Sequence, residues 1–409
     1  MTATSPATAT TRPTARGVLD ALDLDTRMLA MVGALGVIWV VFDLVTGGVF
    51  LTPRNLWNLA VQTSSVATMA TGMVLVIVAR YIDLSVGALL GLTGMVMAVI
   101  QARWLPGMGD ISWIAALVGG ALLAGAVGGL QGWWIAYRGV PAFIVTLAGL
   151  LIYRGLAWWM TSGQTVAPLN PSFEVIGGGL DGSIGAFWSW VLGIAAVLAL
   201  VARAVHARRR RRQFGCLTRP LWAEAAVLLV QVVPVIAFVM VMNAYLQPRT
   251  GIPMGIPVPV LIVIAVTLVM TVVATRTRFG RYVFAIGGNP EAAELSGINV
   301  KRITVWIFVV MGLLVAVGAA IATARLKAGL NATGELDELR VIAAAVIGGT
   351  SLAGGVGTIF GAVLGALTMQ SLQSGMVLLG LPSPMQNVVI GAVLVFAVWL
   401  DQSYRRGKL

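Results

Sequence analysis

Four ionisable side chains sit inside or beside long apolar runs and could do chemistry there: Asp43, Asp83, Arg154 and Glu224. Charge at membrane depth is costly unless it faces protein or water, and such groups often relay ions. A proton-coupled carrier would use Asp83, Arg154 or Glu224 in this way, yet they form no convincing carboxylate pair at mid-membrane. Asp83 lies in RYIDLSVG at 80–87, a polar break between two apolar runs. It can cap the span that follows by accepting from free N–H groups, or, with Ser85, line a solute route. Arg154 can pair within the bundle or snorkel outward, while Glu224 and Asp43 can reach the two interfaces. Enzyme chemistry has little to work with. His206 is the only histidine and Cys216 the only cysteine, so no His-pair metal site, cysteine cluster or intrachain disulfide can form. We expect no catalytic and no metal-binding residues. Glu174 and Asp181 are the one weak acid/base candidate, for a lipid-linked substrate. No Gly-x4-Gly-Lys-Ser/Thr run occurs, so if ATP drives this protein, another subunit binds it.

A second constellation is polar but uncharged. GELDEL at 334–339 is followed by IGGTSLAGG at 347–355 and by Gly357. Each glycine inside a helix costs about 1 kcal/mol relative to alanine, so a broken or re-entrant element is expected. Irregular backbone at membrane depth survives inside protein or beside a cavity. Gly348, Gly349, Thr350 and Ser351 would then offer backbone and hydroxyl groups to a neutral polyhydroxyl solute. Close glycine packing between helices is the alternative. Gln370 and Gln373, three apart and on one helical face, extend a polar stripe with Ser371 and Ser374.

The third constellation is GNPEAAELSGINV at 288–300. Asn289 can cap a helix and Pro290 suits its first position. Glu291 meets the positive end of the helix dipole, and Gly297 can take the left-handed stop. The resulting helix, with Ala292, Ala293 and Glu294 in its body, is roughly 10 Å long. It is too short to span a bilayer and needs a partner surface. Arg276, Arg278, Arg281, Lys301 and Arg302 flank it and place it on the cytoplasmic side. It reads either as an ordinary capped turn or as a docking helix of a transport subunit driven from inside.

The elements that must position these groups are membrane spans. The chain has 409 residues, 58% hydrophobic and 10% charged, with mean hydropathy +0.93; a soluble domain carries about 25% charge. Apolar runs cover 28–50, 56–79, 84–102, 111–137, 141–161, 188–205, 221–245, 258–275 and 303–324. A Gly-interrupted pair follows at 339–352 and 357–379, then a last span at 386–400. The fold class expected is all-α, a polytopic transmembrane bundle of about 10–12 spans with a broken or re-entrant Gly-rich element. The expected organisation is a polar, disordered cytoplasmic arm over 1–27, one transmembrane domain over 28–401 and a cytoplasmic tail over 402–409. The net charge of +12 is mostly topology, and no basic aromatic face suggests nucleic acid. Seven arginines over 203–220 anchor topology or touch anionic membrane lipid. Gly87/Gly91/Gly94 and Gly125/Gly129 allow close helix approach.

Taken together, 81–87, PAFIVTL at 141–147, 289–298, 335–337 and 347–357 resemble the permease subunit of ribose/xylose-type ABC sugar importers, over about 55–401. The resemblance implies a homodimer, or a pair of related permeases, in the bacterial inner membrane; the distribution of arginine over the loops is consistent with both termini being cytoplasmic. It implies a cytosolic ATPase with two nucleotide-binding modules, which carries ATP and magnesium, and a periplasmic sugar-binding protein. This chain itself needs no cofactor. By analogy 289–297 is the coupling helix, within a coupling loop at 276–302. An insertion at 203–257, with a basic loop and extra spans, is absent from shorter ribose-type members. It favours the xylose-type subgroup and D-xylose, with ribose, galactose, a nucleoside or a signalling furanone as alternatives. Arg80 and Tyr81 stand where the family usually has small residues.

Overall fold

The computed structural model describes residues 26–215, 220–248 and 250–406. Most of the expected arm, Cys216, Arg249 and the last three residues of the tail lie outside these. In chain order the helices are α1 (Thr26–Val45), α2 (Pro53–Val78), α3 (Val86–Val99, prolonged by a π-helical turn Ile100–Trp104), α4 (Asp110–Arg138) and α5 (Ala142–Thr161). After a short helical turn (Pro171–Glu174, continued as a 3-10 turn Val175–Gly177) there follow α6 (Gly185–Gln213), α7 (Leu221–Ala244), α8 (Val258–Arg276), α9 (Arg278–Gly288) and α10 (Pro290–Leu295). The chain continues with α11 (Val300–Leu326), α12 (Asp337–Ile347), α13 (Ile359–Leu378) and α14 (Ser383–Arg406). Extended pairing among the described residues is limited to isolated bridges. The protein is a polytopic all-α bundle.

Nine helices among the described residues, α1 to α8 and α11, are long and apolar enough to cross a bilayer. Helix α13 has 20 residues, and α14 carries a shorter apolar stretch, Ser383–Phe396. Helix α12, with 11 residues, is about 16 Å long, half the hydrocarbon thickness. It stops at Gly348, and 348–358 is non-helical before α13 begins. The glycines break the element where the sequence suggested.

Helix α11 is the hub. It packs on α4, α2 and α3, while α2 is buried along nearly its whole length. Outward faces of α1, α4, α5, α6, α7 and α8 are apolar, with Val37, Leu122, Leu151, Leu198, Leu229 and Leu268 exposed. Against lipid tails such a bundle gains little from burial and depends on close packing. The closest approach of α4 to α11 runs through Gly128 and Gly132, whose absent Cβ atoms would collide with Phe308 and Val305, while Gly125 and Gly129 make looser contacts. On the facing side a Cβ at Gly312 would collide with the Ala124 carbonyl. Gly312→Val is therefore expected to destabilise the bundle by several kcal/mol, beyond the roughly 1–3 of ordinary overpacking because backbone must move. Thermal unfolding of the detergent-purified protein checks this.

Contacts across the bundle define two ends. At one, α10 sits with the α2–α3 break and the 348–358 loop: the Gly355 N–H donates to the Val78 carbonyl at 2.9 Å. At the other, Trp57 Nε1 at the start of α2 donates to the Gly255 carbonyl at 3.0 Å.

Candidate functional site

Helix α10 is held by local chemistry. Asn289 Oδ1 accepts from the Ala292 N–H at 3.1 Å, Pro290 fills the first position, and Gly297 takes φ +82°. Ala293 is buried against the bundle, while Glu291, Ala292 and Glu294 are exposed. Leu295 is 90% exposed, an unusual position for a leucine on a charged end of the protein. Thr277 caps α9 and Asn299 caps α11, so the whole 276–302 loop is ordered by its own caps. The result is a small protruding platform with two carboxylates and one apolar tip.

The α2–α3 break lies beside it. Asp83 is 2% exposed, and its Oδ1 accepts from the Ser85 N–H at 2.9 Å and the Ser85 hydroxyl at 2.7 Å. Gln131 Nε2 of α4 donates to Ser85 Oγ at 2.9 Å. The carboxylate thus organises the turn entering α3, and its tie continues to α4. Gly87 and Gly334 pack backbone to backbone, which joins the 80–87 and 334–339 runs at the start of α12. Arg154 Nη1 donates to the carbonyls of Asn331 and Thr333 at 2.9 and 2.7 Å, holding the loop before α12 inside the bundle.

Helices α2, α11, α12 and α13, with that loop, enclose a polar cavity of about 210 Å³. Its walls include Gln62 and Ser65 of α2, Arg325 of α11, Thr333, Glu335, Asp337 and Arg340 around the start of α12, and Gln370 and Gln373 of α13. Arg325 and Arg340 balance Glu335 and Asp337, so the lining is formally neutral. Arg340 Nη1 and Asp337 Oδ1 form an ion pair at 2.9 Å. Gln370 Nε2 donates to Gln62 Oε1 at 3.0 Å, which links α13 to α2 across one wall. Thr333 Oγ1 and Arg340 Nε are buried with no protein partner, which marks a wall built for polar content. Such a cavity offers hydrogen-bond donors and acceptors in balance and suits a small neutral, hydroxylated solute.

A family model described as "Branched-chain amino acid transport system / permease component" matches residues 55–398. The chain belongs to this family. The permease is 40% identical over 394 residues to the xylose transport system permease protein of Escherichia coli strain K12, with 96% of each chain covered. It is 40% identical to the corresponding xylose protein of Haemophilus influenzae, over 92% of this chain and 96% of the relative. The ribose import permease protein of Escherichia coli K12 is 34% identical over 86% and 87% of the two chains. No solved structure matches it.

Not every residue singled out in the permease sequence comes to the cavity. Gln370 and Gln373 line it. Gly348, Gly349, Thr350 and Ser351 sit in the loop at the α10 end, with Thr350 and Ser351 wholly buried, and Asp83 and Ser85 belong to the α2–α3 turn. Ser371 accepts from Trp39 Nε1 at 2.9 Å and Ser374 donates to Asn55 Oδ1 at 3.2 Å; both serve helix contacts. Glu224 pairs with Arg208, and Asp43 Oδ1 accepts from the Leu51 N–H at 2.9 Å. Glu174 is ion-paired with Lys327. Gln62, Ser65, Arg325, Thr333 and Arg340 were not picked out as lining. The polar run 62–65 inside an apolar span was the signal for the first two.

Proposed function

We propose that this chain is the membrane-spanning subunit of an ATP-driven importer of a pentose, D-xylose above others. The observation that carries this reading is identity of 40% along 96% of the chain to a protein named for xylose transport, against 34% to one named for ribose. The cavity agrees with it: its lining is formally neutral and rich in amide and hydroxyl groups. The chain hydrolyses no ATP and needs no cofactor of its own. ATP and magnesium would be bound by a separate cytosolic ATPase with two nucleotide-binding modules, on which α10 docks. A periplasmic sugar-binding protein would deliver the sugar, and a second copy of the permease would complete the pathway in the bacterial inner membrane. The flanking basic residues support a cytoplasmic position for α10, and both termini would lie on that side.

The mechanism we infer is alternating access. ATP closes the paired ATPase modules, and the docked helices follow. The permease halves then open outward to receive sugar, and hydrolysis resets them. The cavity between α2 and α13 is the compartment that changes access, and it holds sugar weakly, since tight binding slows release. Asp83, Ser85 and the loop Gly348–Ser351 act as the deformable end of this compartment rather than as direct sugar ligands.

The test is uptake of labelled D-xylose by cells carrying the permease with its ATPase and binding protein. Loss on ATP depletion with the proton gradient intact is the expected result. Loss only with an uncoupler, ATP being maintained, would replace this reading with a proton-coupled carrier. Competition by leucine instead of unlabelled xylose would return the substrate to the class named in the family description.

A further inference from the structure

The chain directly before α10 is held to the end of α2 by one side chain that the transport reading leaves unassigned. Arg80 leaves α2 with φ +68°, in the left-handed region that a side-chain-bearing residue seldom adopts. Its Nε donates to the Gly287 carbonyl and its Nη2 to the Gly288 carbonyl, each at 2.7 Å. These are carbonyls of the last turn of α9, which no helical N–H can satisfy, and a cation is favoured there. The next residue is Asn289, the cap of α10. The guanidinium therefore grips the chain directly before the exposed platform.

The other side of the grip is equally tight. Gly287 lies so close to the Val78 carbonyl that a Cβ would collide with it, and Gly354 packs against the Arg80 stem. Gly355 donates to that same Val78 carbonyl. The end of α2, the end of α9 and the 348–358 loop thus meet at one point, with Arg80 spanning them. The same α2 carries Gln62 and Ser65 into the cavity wall, and the same loop joins α12 to α13, which form another part of that wall.

We infer that Arg80 is a positioning residue that passes displacement of α10 to α2 and to the α12–α13 loop, and so couples the docking platform to the cavity. This rests on the reading that α10 docks on an ATPase. Two forked donors in one rigid plane hold two carbonyls in fixed geometry better than a lysine, whose ammonium rotates on a flexible stem.

The test uses the whole importer, permease with ATPase and binding protein, reconstituted in lipid vesicles. Xylose delivered per ATP hydrolysed is measured for wild type, Arg80→Ala and Arg80→Lys. ATPase recovered with the purified permease is measured in parallel. The expected result is a loss of about tenfold in xylose per ATP for Arg80→Ala, the size of a typical coupling between linked sites. Arg80→Lys should fall between, and both should retain ATPase at the wild-type ratio. Unchanged xylose per ATP in Arg80→Ala overturns the inference, even if less complex is recovered, because that is what a purely structural role predicts. Should the alanine variant fail to fold, wild-type coupling in Arg80→Lys overturns it equally. A permease lacking 290–296 tests docking separately: if it still retains the ATPase, the docking reading fails whatever Arg80 does.

Discussion

Leu295→Asp is expected to abolish ATP-driven uptake and to release the ATPase from the purified permease, while the permease inserts and folds as before. The side chain is 90% exposed and touches little within the bundle, so the substitution removes almost no internal packing. Around it stand Glu291 and Glu294, both exposed. A partner surface suited to this platform is an apolar pocket with a basic rim, and a carboxylate placed in that pocket would be desolvated without a partner. Truncating a central apolar anchor of an interface typically costs about 2 kcal/mol, or about thirtyfold in affinity, and a buried charge costs more. Deleting 290–296 should give the same loss. Co-purification of ATPase with permease is the direct measurement. Normal recovery with Leu295→Asp would mean that the platform faces solvent in the assembled importer.

The second large effect is expected in the cavity. Gln373→Trp should stop xylose delivery while ATP hydrolysis continues, because the indole would occupy the space between α13 and α2 that we propose as the sugar route. Gln373→Ala should leave delivery within about tenfold of wild type, since one neutral hydrogen bond contributes only about 0.5–1.5 kcal/mol. The pair separates blocking from binding. If the tryptophan variant transports normally, the 210 Å³ compartment is off the route.

What the sequence disclosed, and what it withheld, follows the range of the forces involved. Helix α10 was legible because its cap, its proline and its left-handed glycine act within a few residues of one another. The stop at Gly348 was legible for the same reason: glycine lowers helix stability wherever it stands. The membrane spans follow from composition alone. The cavity was only half legible. Gln370 and Gln373 declared themselves as polar residues on one apolar helix. Arg325 and Arg340, at the ends of two apolar runs, carried no signal of their own, because their meaning depends on which faces of α11 and α12 oppose each other. Arg80 shows the limit most clearly. Its departure from small residues was visible, but its partners lie 207 and 208 positions along the chain. Thr350 and Ser351 read as hydroxyls in a Gly-rich break that could face a sugar; the loop turns them into the protein at the α10 end, apart from the cavity lining. Asp83 read as a cap or a route residue, and the Ser85 contacts give it the local, turn-forming part.

The hub position of α11 has a consequence for how the protein is made. Helix α2 is buried along nearly all its length, and much of the surface that buries it belongs to a helix beginning at Val300. Roughly 220 residues separate the end of one from the start of the other, so at about 5–20 residues per second the ribosome needs on the order of ten seconds or more to supply the partner. During that interval the Thr- and Ser-rich faces of α2 stand in lipid or against the insertion machinery without their final neighbours. Biogenesis therefore has a waiting step: the early helices must be held near the translocon until α11 emerges. A chain released before that point would leave α2 in the bilayer without the helix that covers it.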